Sequence, residues 1–302
     1  MKKEVSAMAQ LTVSMLVFGS IGLLVRYIPM PSSMVAFVRA FIGVIFLLTV
    51  LAIKGTKLSL PAIKSNLVCL TLSGVAIGFN WILLFESYRY TSVAVSTLCY
   101  YMAPIIVTLL SPLVLKEKIT TRRFLCVLAA LIGMAMISGI FKTGRVQRGE
   151  MRGIALGFGA AVLYATVILL NKHLHGISAM DRTICQLLFA AVILLPYNLL
   201  TCDLTSLRAA PTGWILLAVV GVIHTGLAYY LYFGSMEHLS AQSIALASFI
   251  DPVVAVLISI TILAEPFDVF TLVGAAAILG SAVISELPVV KRYSADRDTV
   301  GE

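Results

Sequence analysis

Long apolar stretches separated by short polar gaps dominate the chain. They run over 7–27, 32–53, 65–86, 91–115 and 124–140, and then over 153–170, 183–200, 213–236, 241–263 and 269–287. A helix crossing a hydrocarbon core of about 30 Å needs about 20 mostly apolar residues. The stretches reach that span, the shorter ones with local thinning of the bilayer. In lipid only helices and closed barrels satisfy every backbone donor and acceptor. Barrel strands would alternate in polarity over short segments, and the sequence shows no such pattern. It therefore predicts an all-α membrane protein with ten transmembrane helices. The longest gap, 141–152, has no room for a soluble domain.

Composition agrees with that reading. Of 302 residues, 60% are hydrophobic and 12% charged, against about 45–50% and about 25% in soluble domains. Mean hydropathy is +1.02. A net charge of +8 would suggest nucleic acid in a soluble protein. Here the basic residues sit in the gaps, where membrane topology accounts for them, and no nucleic-acid partner is expected. With the N-terminus inside, 14 of the 22 Lys and Arg fall on the inner side, seven on the outer side, and Arg39 within a span. This bias predicts a multi-pass protein of the plasma membrane (the bacterial inner membrane) with both termini cytoplasmic. Lys142, Arg145, Arg148 and Arg152, all on the outer side, run against it. Cys69, Cys99, Cys126, Cys185 and Cys202 lie in or at the end of apolar stretches, form no CxxC pair, and read as small core hydrophobes. The first stretch is too long, and lacks a suitable small-residue site, to be a cleavable signal peptide.

The two halves share a pattern at an offset of 148. Phe41 matches Phe189, Phe85 matches Phe233, Ser92 matches Ser240, Pro104 matches Pro252, Ser111 matches Ser259 and Glu117 matches Glu265. Phe18–Gly19 matches Phe158–Gly159 at 140, so one loop differs in length. Apolar matches carry little weight in such a chain; paired mid-span prolines and span-end glutamates carry more. Five spans is an odd number, so the second copy must cross upside down. The expected organisation is two inverted five-helix repeats, 1–140 and 150–288, with 289–302 a short cytoplasmic tail. Inverted repeats are how many carriers alternate access, with a site near the midplane.

Phe18–Gly19, Arg39 and the stretches YTSVAVSTLCYYMAPIIVTLLSPLVLKE (90–117) and HLSAQSIALASFIDPVVAVLISITILAE (238–265) carry a family resemblance. The chain resembles the drug/metabolite transporter superfamily in its ten-helix EamA-type branch, each half looking like one EamA domain. Phe18 departs from the Trp frequent at that position in the family. The resemblance implies an exporter or exchanger of amino acids, nucleobases or related metabolites.

Several residues are candidates for the transport site. Pro104 and Pro252 lack a backbone N–H, so each is expected to kink its helix and free the carbonyl four residues earlier, on Tyr100 and Ser248. A substrate group or a neighbouring side chain must then satisfy that carbonyl. Asp251 lies about 16 Å into its helix, a depth at which a charge faces a cavity or a partner. Its alternatives are a counter-ion or proton site and a structural bond at the kink. Arg39, about 10 Å from the outer end of its helix, sits at similar depth. It is read either as one half of an ion pair or gate with Asp251, or as a structural residue snorkelling to the headgroups. Asn80, Trp81, Tyr100, Tyr101, His224, Tyr229, Ser248 and Asp251 are the expected substrate-binding residues, His224 being read more readily as packing. Tyr88 and Glu86 fit the interfacial belt and polar rim. GVAIG (74–78) and GIALG (153–157) are expected to be close-packing faces.

Phosphate-binding loops, HExxH, clustered Cys/His and a Ser–His–Asp set are absent from the sequence. No cofactor, metal or catalytic residue is expected. The leading expectation is a secondary transporter exporting amino acids or similar small metabolites by alternating access, lined by spans three, four, eight and nine. The alternative is an integral membrane enzyme or lipid-handling protein that uses no ATP. A sensor or assembly subunit would want a soluble module. The expected partners are a small-molecule substrate, membrane lipid, and a proton or counter-substrate, with the chain a monomer or homodimer.

Overall fold

The computed structural model describes residues 2–114, 116, 119–138, 148–202, 211–236 and 238–287. Glu117, most of the gap after the fifth span, and the expected tail 289–302 lie outside the described residues. Every described element is helical.

Among the described residues the helices, some of them interrupted, group into ten spans. The first, α1, runs Lys2–Gly19 and, after a break at Ser20, continues as Ile21–Arg26. Next come α2 (Ser32–Ile53) and α3 (Leu67–Ser87), with a short unexpected helix, Leu60–Ser65, between them. Helix α4 is Val93–Tyr100 followed by Ala103–Val114, and α5 is Thr121–Ile137. The second half holds α6 (Arg148–Asn171), α7 (Ala179–Thr201) and α8, which is Pro211–Gly221, a π-helical turn Val222–Leu227, and Ala228–Met236. It closes with α9 (Ala241–Ala247, then Ile250–Thr261) and α10 (Val269–Glu286). Seven, α1 to α4 and α6 to α8, are long and apolar enough to cross a membrane unaided; α5, α9 and α10 are shorter or interrupted.

Local chemistry explains where these helices start. Ser92, Thr120, Ser178, Ser240 and Asp268 each accept a bond from the N–H three residues on, capping α4, α5, α7, α9 and α10. The sequence match of Ser92 with Ser240 is thus one cap used twice. Pro104 and Pro252 act as expected: α4 breaks at Tyr101–Met102 and α9 at Ser248–Phe249.

Contacts follow a two-fold pattern. Helix α1 packs on α8 and α9 as its counterpart α6 packs on α3 and α4; α2 meets α8 as α7 meets α3. The counterparts α4 and α9 meet each other, as do α5 and α10. Gly133 of α5 and Gly274 of α10 face one another so closely that a Cβ on either would fall within 2.8 Å of the other's carbonyl oxygen. The N–H of Val93, opening α4, donates to Glu265, just beyond the end of α9, at 2.8 Å. Equivalent helices therefore run antiparallel, and the two five-helix repeats are inverted.

The expected glycine faces are at tight helix contacts: Gly74 and Gly78 on α7, and Gly153 and Gly157 against Thr91, Ser87 and Cys99. All five cysteines are free thiols. Large apolar side chains such as Leu113 and Leu200 cover the outside, as a lipid-facing surface requires.

Candidate transport site

The repeats enclose a cavity of about 360 Å³. Helices α3, α4, α8 and α9 line it as expected, and α1, α2 and α6 join them. Of the expected residues, Asn80, Trp81, Tyr100, Tyr101, Pro104, Tyr229, Ser248, Asp251 and Arg39 all reach the wall. The paired breaks in α4 and α9 place Tyr100, Tyr101, Ser248 and Phe249 there, because a helix that loses its hydrogen-bond ladder at proline turns polar backbone toward a cavity.

Asp251 is held from the other repeat. The Tyr101 hydroxyl lies 2.9 Å from Asp251 Oδ2 and 3.3 Å from the Ser248 carbonyl oxygen. A neighbouring side chain thus meets the carbonyl freed by Pro252. Asn80 Nδ2 donates to the Ala160 carbonyl, tying α3 to α6.

Arg39 does not snorkel. It is 5% exposed, its Nε donates to Thr225 Oγ1 at 2.7 Å, and its guanidinium carbon lies 3.9 Å from the Trp81 ring centroid. The π-turn of α8 supplies this anchor: Thr225 Oγ1 donates in turn to the Val220 carbonyl at 3.2 Å. The expected ion pair is absent in this conformation, since no salt bridge joins Arg39 to Asp251; Thr225 and Trp81 hold one group while Tyr101 holds the other.

Two further expectations are corrected. His224 does not line the cavity; the π-turn puts its Nε2 3.1 Å from Ser20 Oγ, at the break in α1. Tyr88 is not in an interfacial belt. It is 3% exposed and lines the cavity, its ring 6.3 Å from that of Phe85. Pro252, expected only as a kink, shapes α9 from outside the wall. Sequence reasoning missed Phe18, Tyr164 and Phe249 as lining residues and Thr225 as the arginine anchor. The doubled Phe-Gly pair marked α1; Tyr164 and Thr225 carried no signal, being an ordinary aromatic and an ordinary threonine in apolar helices. Among the described residues no three His, Cys, Asp or Glu side chains converge as a metal would need.

Polar contacts bridge the helices at one end of the cavity. Arg26 of α1 lies 3.2 Å from Glu265, and Glu265 Oε2 accepts from Val93 N–H and from Ser259 Oγ. Arg26 also donates to the Tyr88 carbonyl, and Arg89 to the Met30 carbonyl. Gly19 lets α1 approach α9 so closely that a Cβ there would fall 2.5 Å from the Asp251 carbonyl oxygen.

An inverted pair of five-helix repeats around a central, polar and aromatic cavity defines a membrane carrier. The chain belongs to the EamA-like transporter family, whose pattern matches residues 5–139 and 151–286. It is 30% identical over 290 residues to the uncharacterized transporter YxxF of Bacillus subtilis (strain 168), covering 94% of this chain and 90% of that one. It is 26% identical over 219 residues to protein PecM of Dickeya dadantii (strain 3937), covering 70% and 71%. A solved structure titled only as the crystal structure of a protein shares the fold, with a TM-score of 0.65 at 15% identity, over 93% of this chain and 97% of that one.

Proposed function

We propose that this transporter exports amino acids or similar small metabolites by alternating access, without ATP. One observation carries the reading: a 360 Å³ cavity between the repeats holds a cation from one and an anion from the other, among aromatic rings. Such a mixed wall suits a small amphipathic solute. The stretches 1–140 and 150–288 are the two rocking units, and 289–302 is the tail. With both termini cytoplasmic in the plasma membrane, as the basic-residue bias argues, the Arg26–Glu265 face lies outside and the outer side is the closed one. A proton or a counter-substrate completes the cycle.

Purified protein in liposomes, loaded with unlabelled solute and supplied with labelled amino acids or nucleobases, tests this. Saturable counterflow of one class is expected. Lipid turnover with no counterflow of any solute would instead establish the membrane-enzyme reading.

A further inference from the structure

We propose that Arg39 is the specificity-determining residue of this site and receives the anionic end of a zwitterionic solute whose cationic end docks on Asp251. The inference rests on the transport reading of the cavity and deepens it.

An arginine at this depth in lipid needs compensation for its charge. A carboxylate within the protein is the usual compensation, and among the described residues none pairs with Arg39. Its Nε is taken by Thr225 and its ring-like face by Trp81. Both contacts hold the guanidinium still, and neither neutralises it. The terminal nitrogens make no hydrogen bond to a described residue, yet the side chain is 5% exposed and lines the cavity. A rigid, planar fork with unused N–H groups is a template for a carboxylate, which it can bind bidentately.

Asp251 has the complementary arrangement. One carboxylate oxygen accepts the Tyr101 hydroxyl, and no cationic side chain pairs with it among the described residues. Tyr101 and Phe249 pack together beside it, 6.3 Å between ring centroids, and rings of this kind favour an ammonium near their faces.

The wall therefore holds two fixed charges of opposite sign, unpaired with each other, one from each repeat. A solute bearing both charges satisfies both groups. An amine alone leaves Arg39 without an anion, and an acid alone leaves Asp251 without a cation; a buried unpaired charge disfavours either complex. Because α2 and α9 belong to opposite repeats, a zwitterion also bridges the two rocking units, whereas a mono-ion touches one of them.

Trp81 and Trp214 are the only tryptophans, so W214F leaves the indole under Arg39 as the sole reporter. Full-length W214F protein is titrated with each of the standard amino acids. The tightest is then compared with its decarboxylated amine and its deaminated acid, and the same compounds are run in counterflow. The expected result is a saturable change in Trp81 fluorescence, with both analogues at least tenfold weaker. In R39Q the amino acid weakens at least tenfold while its amine analogue does not, so that preference disappears. D251N does the same for the acid analogue. R39K keeps the charge without the fork and falls between; it carries the test if R39Q does not elute as a monodisperse species. The proposal is overturned if no amino acid changes Trp81 fluorescence or counterflow, or if preference over the amine survives in both Arg39 variants. Binding with this selectivity but no counterflow leaves the assignment of Arg39 standing and removes the transport reading.

Discussion

Arg26 and Glu265 meet at 3.2 Å, joining the end of the first helix to the end of the ninth. They come from opposite repeats, and the same carboxylate caps the start of α4 through the Val93 N–H. Arg26 is 38% exposed, so the ion pair itself contributes little. The bond from the Val93 N–H, which crosses between the repeats to the nearly buried carboxylate, does more of the holding, and Ser259 of the same repeat orients that carboxylate. In Glu265→Gln the side chain keeps its shape and loses its charge, which weakens these contacts between the repeats by about 1–3 kcal/mol. An impermeant maleimide applied on the side that bears Arg26 to a cysteine placed at Ala103, in an otherwise cysteine-free protein, is expected to react several-fold faster. An unchanged rate means that these contacts do not hold that side shut.

Gly19 and Gly159 are equivalent by sequence but not by surroundings. A Cβ on Gly19 would meet the backbone oxygen of Asp251 at 2.5 Å and Val254 Cβ at 2.7 Å, whereas one on Gly159 would meet only the flexible end of Leu83 at 3.2 Å. Gly19→Ala must push α1 from α9, and is expected to lower stability by about 1–3 kcal/mol and to abolish most transport. Gly159→Ala is expected to leave the melting temperature in detergent within a few degrees of the parent. Equal effects at the two sites would contradict the packing described.

Thr225→Val keeps the volume but removes the acceptor for Arg39 Nε and leaves that donor buried without a partner. The cost of about 1–3 kcal/mol falls on the position of the guanidinium. Discrimination between an amino acid and its decarboxylated analogue is expected to fall about fivefold or more, and Thr225→Ser should restore it. A stable Thr225→Val protein with unaltered discrimination would show that the π-turn does not position Arg39.

Tyr101→Phe deletes the hydroxyl that bonds both Asp251 Oδ2 and the Ser248 carbonyl. Both acceptors flank the break in α9, so the loss is expected to raise the half-saturation concentration for counterflow about fivefold or more, on the basis of about 1–3 kcal/mol for a bond to a charged group. Tyr100→Phe, whose hydroxyl makes neither bond, should change it far less. Equal effects would remove Tyr101 as the support of Asp251.

The sequence alone determined that the chain folds in lipid, as ten helices in two inverted copies. Apolar length, backbone hydrogen bonding and an odd span count depend only on local composition and order. It also marked Pro104, Pro252, Asp251 and Arg39, because proline and charge stand out against an apolar background. What those groups touch was decided only in three dimensions. A π-turn in α8 withdrew His224 to Ser20 and delivered Thr225 to Arg39; packing beside Phe85 buried Tyr88 in the cavity wall; and the breaks in α4 and α9 brought Tyr101 to Asp251 across the repeat boundary. Each depends on how a helix is rotated about its axis, set by side-chain packing between segments far apart in the chain. Hydrophobic periodicity is blind to such rotation in helices that are apolar on nearly every face.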